Sequence, residues 1–530
     1  MKHGMAGNLL EALSDNIVVD RDKCMGCGVC VERCPMDNLR LKSAPCTAAC
    51  PLGVNAQGYV RLIALGDEEE AYRILKETLP FPGILGRICS RPCEMACAHN
   101  EHASPRIAIR ALKRYLADRF ADHAEPATFS SPSGKSVAII GSGPAGLMAA
   151  HDLRLHGHEV VVLEAESAPG GMLRWAIPVF RLPREVLEKE ISRLTEMGVR
   201  FGLGERIDAE GRTRLLDEFD AVLVASGGGP IRRLGVPGEG LSGVRHALSF
   251  LRAARTGSLP GVGERAVVIG GGNAALDAAQ TALRCGAKEV SIVCLEARCE
   301  MPAFPWALDE ALSEGVRLVD AWGPIRFIGE EGKLTGIVLQ RCTGLFDDTG
   351  DFSPRMDACQ TMTFEADTVI IAAGQEMNDM NIGGGVDPLT LQVNGSSLFI
   401  AGDAATGPSS VVHAMASGRR AAESIHRLLA GEPLGLGRTV PTDEGVDAPV
   451  RPPTRIDTNA RRPRMRSFKG KGDCGEVESA FDADMARAEA SRCLSCGVAF
   501  GRYRTCWFCL PCEIECPQKA INVEIPYLLR

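Results

Sequence analysis

The stretch SVAIIGSGPAGLMAAHDLRLHGHEVVVLE, residues 136–164, decides the fold. It begins with an apolar run of strand length, continues through glycines at Gly141, Gly143 and Gly146 into an amphipathic segment, and ends in a second apolar run closed by Glu164. This order predicts a βαβ unit in a parallel sheet. The glycines permit a tight turn and close approach of a pyrophosphate to the helix N-terminus, and Glu164 stands where a carboxylate binds ribose hydroxyls. The stretch therefore predicts a dinucleotide-binding domain.

A second unit of this kind begins at ERAVVIGGGNAALD, residues 264–277. Its following strand ends at Glu296, where an acid would bind the adenosine 2′-hydroxyl and repel a 2′-phosphate. The sequence therefore favours NADH over NADPH, although Arg284 and Arg298 lie close by in the sequence. Two fingerprints in one chain predict a flavin that stays bound and a nicotinamide nucleotide that exchanges.

The segment LFIAGDAATGPSSVVHAMASGRRAAESI, residues 398–425, indicates which unit holds the flavin. Gly402 and Asp403 end a strand and lead into a helix, an arrangement suited to clamping the ribityl and phosphate end of FAD. The FAD-binding domain is thus predicted to be split by the NAD(P)H-binding domain. The predicted boundaries are 133–255 and 365–430 for the FAD-binding domain and 256–364 for the NAD(P)H-binding domain.

Fifteen of the 21 cysteines lie near the two chain ends. Two runs have the bacterial ferredoxin spacing C-x2-C-x2-C-x3-C-P, one within 1–40 and one within 476–530, which predicts ferredoxin-like halves there. Because the fourth cysteine of such a run ligates the other cluster, we expect the chain ends to meet, within one chain or across a dimer. Zinc sites favour separated cysteine pairs instead. The expected ligand sets for two [4Fe–4S] clusters are Cys24, Cys27, Cys30 and Cys516, and Cys506, Cys509, Cys512 and Cys34.

Composition and charge exclude several classes of protein. The 530 residues are 45% hydrophobic and 24% charged, which is typical of a globular chain. The net charge of −8 argues against nucleic acid as a partner. The first residues lack a secretory signal, and no uncharged apolar run approaches the roughly 18 residues of a membrane span, so we expect a cytoplasmic protein. Residues 431–475 are predicted to form a linker or wrapping arm, whose basic stretch could alternatively dock an acidic electron carrier.

Several further runs carry a family resemblance. They are PGGMLRWAIPVFRLPREVLEKEI (169–191), GRICSRPCEMAC (86–97), and the GGGNAALD, EMPA and GDA segments. Over about 45–430 the chain resembles the small (β) subunit of glutamate synthase, the N-terminal half of dihydropyrimidine dehydrogenase, and the large subunit of NADH-dependent ferredoxin:NADP oxidoreductase. The resemblance implies a flavin-dependent module that passes electrons between a nicotinamide and iron–sulfur clusters. It departs at Leu295–Glu296, where NADPH-using relatives tend to have paired arginines.

The resemblance also implies roles for individual residues. It assigns FAD binding to Gly141, Gly143, Gly146, Glu164, Gly171, Gly402 and Asp403, and nicotinamide binding to Gly270, Gly272, Asn273 and Ala275, with Glu296 at the ribose. It suggests a helical iron–sulfur domain over 41–132 with Cys46, Cys97, Cys493 and Cys496 on one cluster and Cys50, Cys89 and Cys93 on another. Fifteen cysteines cannot supply sixteen ligands. Relatives use a Glu or Gln in the next helix, where this chain has Lys113, so three clusters remain an alternative to four.

The sequence as a whole predicts an α/β protein with two Rossmann-like domains, a helical iron–sulfur domain and ferredoxin-like α+β segments at both termini. Hydride transfer to flavin requires stacking and proximity, so no catalytic acid or base is expected. The function that follows is a flavin- and [4Fe–4S]-dependent NAD(P)H:ferredoxin-type oxidoreductase, an electron-transfer subunit of a larger anaerobic enzyme. Its partner would be a ferredoxin or a catalytic subunit, with a homodimer possible. The alternatives are an electron-bifurcating subunit, a glutamate synthase small subunit proper, or a non-catalytic redox sensor.

Overall fold

A computed structural model of the chain describes residues 17–19, 44–102, 104–123, 130–258, 261–376, 384–436, 438, 457–494, 496, 510–516, 519 and 521–523. Several predicted ligands lie outside this set, namely Cys24, Cys27, Cys30, Cys34, Cys506 and Cys509. Of Cys512 only the backbone is described, in a short helix. Within the described ranges, none of the helices combines the length and apolar character that a membrane crossing needs.

The helices and strands alternate through the middle of the chain, while the described residues from 44 to 123 contain helices and no strands. The helices are α1 (Pro45–Ala48), α2 (Ala56–Leu65), α3 (Glu68–Thr78), α4 (Pro82–Ile88), α5 (Pro92–Met95), α6 (Ile109–Arg119), α7 (Pro144–Leu155), α8 (Met172–Trp175), α9 (Arg184–Glu196), α10 (Ala209–Glu218), α11 (Ala247–Arg255), α12 (Asn273–Cys285), α13 (Pro305–Ser313), α14 (Asp403–Thr406), α15 (Val411–Ala430), α16 (Ala483–Ala490) and α17 (Pro511–Ile514). The strands are β1 (Ile17–Val19), β2 (Ser136–Ile140), β3 (Glu159–Glu164), β4 (Arg200–Leu203), β5 (Ala221–Val224), β6 (Val244–His246), β7 (Arg265–Ile269), β8 (Glu289–Cys294), β9 (Arg317–Asp320), β10 (Trp322–Glu330), β11 (Lys333–Phe346), β12 (Phe352–Glu365), β13 (Thr368–Ile371), β14 (Leu398–Ile400) and β15 (Ile521–Val523).

The first sheet is fully parallel, with the strand order β14-β5-β2-β3-β4. The apolar runs of β2 and β5 are buried on both faces, as expected for a parallel sheet covered on both sides. Asp220, just before β5, accepts hydrogen bonds from the backbone N–H of Ser136 (2.9 Å) and from Lys135 Nζ (2.9 Å). This carboxylate fixes the register at which the two central strands begin.

The second sheet repeats this design, with the parallel order β6-β13-β7-β8-β9. Asp367, just before β13, accepts from the backbone N–H of Arg265 (2.9 Å) in the same way. The predicted boundaries assigned β6 and β13 to the FAD-binding domain, whereas both strands pair in the second sheet. The reason is that β13 and its DTVIIAAG context occupy the position that β5 and DAVLVASG occupy in the first sheet. The other predicted boundaries remain predictions.

An antiparallel sheet of β10, β11 and β12 follows β9 in the sequence and joins the second parallel sheet back to its strand β13. The inner face of this sheet packs on the second sheet through Phe327, Ile337 and Leu339, which are buried with β7 and β13 residues. At its tip, Phe346 and Phe352 are exposed and meet edge to face. Sequence reasoning did not anticipate this sheet, because its 14-residue strands alternate polar and apolar residues only in part.

The described part of the predicted linker or wrapping arm from residue 457 onward, which we call the C-terminal arm, packs against the N-terminal helices. From residue 457 the chain runs back to α6, and Arg462 donates to the backbone oxygen of Arg106 (2.6 Å). Arg110 and Arg114 of α6 pair with Glu478 and Glu476. The arm's basic residues at 462 and 466 are therefore used in contacts within the chain, which favours the wrapping arm over the docking strip.

The two chain ends pair with each other. Strands β1 and β15 are antiparallel, with Ile17 opposite Val523 and Val19 opposite Ile521. The expectation that the ends meet is confirmed, and they meet within one chain. In the sequence, the first ferredoxin-spaced run follows β1 and the second precedes β15.

Candidate functional site

The first glycine turn connects β2 to α7 and has no room for a side chain at Gly141 or Gly146. A Cβ on Gly141, which has a φ of +104°, would lie 2.5 Å from the carbonyl oxygen of Ala225, and one on Gly146 would lie 2.0 Å from the Gly141 oxygen. Gly143 caps the N-terminus of α7. Glu164 is buried at the end of β3, and its carboxylate accepts from the backbone N–H of Ser142 (2.9 Å). The turn thus presents bare backbone N–H groups beside a carboxylate, as a dinucleotide site requires.

Two further turns close on this one. A Cβ on Gly171 would approach the Gly143 Cα to 2.7 Å, so the PGG turn lies directly on the glycine turn. From the other side, Gly402 donates its backbone N–H to Ser417 Oγ (2.9 Å), and the Asp403 carboxylate accepts from Ser409. Burial raises the pKa of Asp403 above its ordinary value. The structure therefore brings together all seven residues predicted to bind FAD.

The second glycine turn, between β7 and α12, has the same backbone form. A Cβ on Gly270, with a φ of +138°, would lie 2.5 Å from the Ala372 oxygen. Gly272 caps α12, and Asn273 Oδ1 accepts from the backbone N–H of Phe304 (3.1 Å), which holds the EMPA segment against the turn. A Cβ on Gly271 would lie 2.6 Å from Oε2 of Glu296, so that carboxylate reaches the glycine turn. The residues predicted to bind the nicotinamide nucleotide therefore lie together, with Ala275 fully buried behind the turn, and their role stays a prediction.

The two arginines near the second turn are engaged elsewhere. Arg284 is buried, forms a two-pronged ion pair with Glu314 (2.6 and 2.8 Å), and lies between the rings of Phe180 and Phe468. Arg298 donates to Asp309 Oδ1 (3.0 Å) at the surface. Both guanidinium groups are thus paired with carboxylates other than Glu296.

Four cysteines from distant parts of the sequence line one cavity. Cys46 is the second residue of α1, and Cys97 lies two residues after the end of α5. Cys493 and Cys496 follow the end of α16. We call this the four-cysteine cavity. Burial and the neighbouring thiols raise the pKa of Cys46 above its ordinary value. Soft thiolate donors on all sides suit an iron–sulfur cluster, and the grouping is the one predicted from the resemblance, although ligation itself stays a prediction.

A buried ion pair explains why α16 brings its cysteines here. The side chains of Glu489 and Arg492 are fully buried and 2.8 Å apart. Glu489 accepts from the backbone N–H of Ala108 (2.9 Å), while Arg492 donates to the oxygen of Pro105 (2.5 Å). His99 Nε2 lies 2.9 Å from the Arg492 backbone oxygen. These contacts anchor the segment immediately before Cys493 to the N-terminal helices.

A second cavity is lined by Cys50, Cys89 and Cys93, and we call it the three-cysteine cavity. Lys113 of α6 also lines it and is only 6% exposed. The rest of the wall is apolar apart from Tyr59, whose hydroxyl donates to the Ile109 backbone oxygen (3.2 Å). The three cysteines grouped by sequence reasoning are together, and no fourth cysteine joins them in the described part of the chain.

The two cavities and the flavin turn are neighbours. Ala56 lines both cavities, and Val412, in the first turn of α15, lines the three-cysteine cavity. Ser90 Oγ, between two of the cavity's cysteines, lies 3.3 Å from Ser410 Oγ, eight residues after Gly402. Sequence reasoning missed Ser90, Ser410 and Val412, because nothing in a sequence marks a contact between a cysteine loop and a helix 320 residues away.

Sequence reasoning also missed a polar contact between the two nucleotide-binding sheets. Arg181, in the IPVFRLP run, pairs with Asp277 on α12 and donates to Gln280 Oε1 (2.5 Å) and Glu310 (3.4 Å). Arg181 lies in the chain segment after the PGG turn of the flavin site, and its side chain contacts α12, the helix whose N-cap is Gly272. The IPVFRLP run indicates the family resemblance, but its sequence does not predict the contact between Arg181 and α12.

Family models match most of the chain. The pyridine nucleotide-disulphide oxidoreductase model matches residues 135–418, which contain both parallel sheets. The model for dihydropyrimidine dehydrogenase domain II with its 4Fe-4S cluster matches residues 39–125, and a 4Fe-4S binding domain model matches residues 17–40.

Among curated proteins, the chain is 33% identical to the beta subunit of NADP(+)-dependent formate dehydrogenase of Moorella thermoacetica, over 93% of this chain and 76% of that one. It is 32% identical to the beta subunit of the NADPH-Fe(3+) oxidoreductase of Geobacter sulfurreducens, over 86% and 75%. It is 34% identical to the glutamate synthase [NADPH] small chain of Azospirillum brasilense, over 72% and 85%.

A solved structure of FprA from Mycobacterium tuberculosis, a His57Gln mutant, shares the fold with a TM-score of 0.50 at 21% identity, over 57% of this chain and 85% of that one. The flavin and iron–sulfur models, the assembled glycine turns and the curated relatives agree with one another. The chain belongs to the pyridine nucleotide-disulphide oxidoreductase family, as an FAD- and [4Fe–4S]-dependent NAD(P)H oxidoreductase subunit of the glutamate synthase small-chain type.

Proposed function

We propose that this chain moves electrons between NADH and a partner subunit, through FAD and a path of iron–sulfur clusters inside the chain. One observation carries the proposal: the segment that closes the flavin site also forms a wall of the three-cysteine cavity, through Val412 and the Ser90–Ser410 contact. Ala56 lines both that cavity and the four-cysteine cavity. In this proposal, electrons pass from the flavin through these two cavities in turn.

Each part of the chain has a separate task in this scheme. FAD, when bound, supplies the conversion between a hydride and single electrons. The first glycine turn binds the pyrophosphate of FAD, and Gly402 and Asp403 bind its ribityl end. Gly171 packs directly against the glycine turn at Gly143. Arg181 ties the nicotinamide-binding helix to the flavin side, which keeps the two nucleotides in one relative orientation. No side chain is required to move a proton, because hydride transfer needs only stacking and distance.

We infer that NADH is the preferred nucleotide, whereas the names of the three relatives specify NADP(H). The support is local: the Glu296 carboxylate reaches the second glycine turn, and the nearby guanidinium groups of Arg284 and Arg298 are paired with Glu314 and Asp309. A carboxylate at this place accepts from ribose hydroxyls and repels a 2′-phosphate.

We propose that the electron partner is another protein subunit. Two of the relatives are named as beta subunits and one as a small chain, so each is named as part of a larger assembly. In this chain the paired strands β1 and β15 bring the two ferredoxin-like halves together at one place. That place is the proposed exit toward the partner, either a ferredoxin or a catalytic subunit.

An anaerobic titration of the purified full chain tests the proposal. NADH or NADPH is added in steps while flavin bleaching and the broad cluster absorbance are followed together. We expect near-stoichiometric NADH to reduce both chromophores and NADPH to act at least tenfold more slowly. A chain that binds no flavin, or a flavin that neither nucleotide reduces, would refute the oxidoreductase proposal. Equal rates with the two nucleotides would refute the preference alone.

A further inference from the structure

The three-cysteine cavity contains a lysine for which the described residues supply no carboxylate partner. Lys113 is buried, and within the described residues no carboxylate lies within ion-pair distance of its ammonium. The other wall residues are thiols, apolar side chains and Tyr59, whose hydroxyl is already bonded to a backbone oxygen. An isolated ammonium in such surroundings is strongly unfavourable unless an anion compensates it.

The anion that suits this cavity is an iron–sulfur cluster with thiolate ligands. A [4Fe–4S]²⁺ core with three thiolates carries a net charge of about −1, and three cysteines already surround the space. We propose that the three-cysteine cavity holds a [4Fe–4S] cluster whose fourth iron has no cysteine ligand and faces the Lys113 ammonium. Occupancy of this cavity follows from the proposed electron path, and the role of Lys113 goes beyond it.

The arrangement determines the order of reduction along the path. Cluster potentials depend on net charge and on surrounding charges, and one thiolate fewer together with one buried cation makes reduction more favourable. The four-cysteine cavity has four thiols, and its wall includes Gln57 and His99 but no lysine or arginine. The cluster beside the flavin is therefore the more oxidising of the two, and it receives the electron first.

A cluster with a free corner has a chemical signature that does not depend on turnover. Ferricyanide takes one electron from [4Fe–4S]²⁺ and Fe²⁺ leaves, so that [3Fe–4S]⁺ remains. We expect the unmodified full chain, treated with a small excess of ferricyanide, to give the near-isotropic EPR signal of a three-iron cluster. Cys93→Ser should lose this signal and about four iron atoms per chain. Absence of the signal from the unmodified chain would overturn the proposal without any variant.

Three lysine variants test the charge. Lys113→Met removes it, Lys113→Arg keeps it without a neutral amine that could ligate iron, and Lys333→Met is the matched control on an exposed lysine. With FAD content checked in each, EPR-monitored redox titration should show a midpoint at least about 59 mV more negative in Lys113→Met, a tenfold change for a one-electron couple. The midpoint potentials of Lys113→Arg and of the control should differ from that of the unmodified chain by less than a threefold change in the reduction equilibrium constant.

A wild-type midpoint in Lys113→Met would overturn the proposal, as would wild-type iron content in Cys93→Ser. Loss of the cluster from Lys113→Met with FAD and the other clusters retained would support it, because the counter-charge is then needed for assembly. The NADH titration of the same samples separates the two questions. If NADH fails to reduce the flavin while the EPR results hold, the proposed function fails and the cluster assignment stands.

Discussion

The anchor that holds α16 to the N-terminal helices should control whether the four-cysteine cavity can bind a cluster. The change is Arg492→Met, which preserves much of the side-chain volume and removes the charge. Arg492 is fully buried and donates to Glu489, to the backbone oxygen of Pro105 and to that of Asp457 (3.0 Å). Removing one partner of such a pair costs about 3–5 kcal/mol, since the other charge stays buried.

That free energy cost weakens the docking of the segment before Cys493 on the N-terminal helices. Each 1.4 kcal/mol is tenfold in an equilibrium constant, so the equilibrium constant for docking of the segment should fall by a factor of about 10² to 4 × 10³. Because Glu489 keeps its ion pair with Arg462 (3.3 Å) and hydrogen bonds from backbone groups at 108 and 461, the lower end of that range is the better expectation. The rest of the fold does not depend on this pair, so FAD should stay bound.

The assay is iron and acid-labile sulfide per chain, measured beside the flavin-to-protein ratio and limited proteolysis. Arg492→Met should lose about four iron atoms, keep a full flavin complement and be cut faster within the arm that precedes α16. Arg487→Met, on an arginine of the same helix with a half-exposed side chain, is the control and should keep its iron. A variant with full iron and unchanged proteolysis would refute the anchoring argument.

Three further predictions concern the nucleotide sites and the helix packing. Glu296→Ser should reduce the preference for NADH over NADPH at least about tenfold in kcat/KM, because the repelling carboxylate is gone; an unchanged ratio would show that the preference arises elsewhere. Gly418→Ala would place a Cβ 2.1 Å from a backbone oxygen of α7, so it should lower the FAD content and the Tm, whereas Gly240→Ala, in open space, should not. Burial and His426 lower the pKa of His158 to about 4, so its neutral form adds stability that is present above about pH 6.5 and is lost as the pH falls toward 4. His158→Gln should therefore lose less Tm than the unmodified chain between pH 7 and pH 5, as followed by thermal melts.

Local patterns explain how much of the fold could be predicted. The glycine turns, the acids that end β3 and β8, and the GDA segment lie within short windows, and their spacing reflects backbone sterics that a sequence displays directly. The strand β13 was misplaced because its assignment depends on pairing with β7 across about 100 residues. The antiparallel sheet and the Arg181 contact depend likewise on partners far along the chain.

The cysteine groups were predictable only with help from the family. Ferredoxin spacing alone required the chain ends to meet, and the β1–β15 pairing bears this out. The grouping of Cys46 with Cys493 came from the resemblance, since nothing in the spacing relates two positions 447 residues apart. The unbalanced charge in the three-cysteine cavity became visible only with the burial of Lys113, because a lysine in an amphipathic helix is ordinarily at the surface.

The four-cysteine cavity combines cysteines from near the beginning and near the end of the sequence, and this has a consequence for biosynthesis. Cys46 leaves the ribosome long before Cys493, and at 5–20 residues per second the interval is about 20 to 90 s. For most of that time the four-cysteine cavity has only Cys46 and Cys97, because Cys493 and Cys496 have not been synthesised. All three cysteines of the three-cysteine cavity lie within the first 93 residues and are available early. Cluster loading should therefore proceed in stages: the site beside the flavin can be filled during translation, and the four-cysteine site only after the C-terminal arm has folded back.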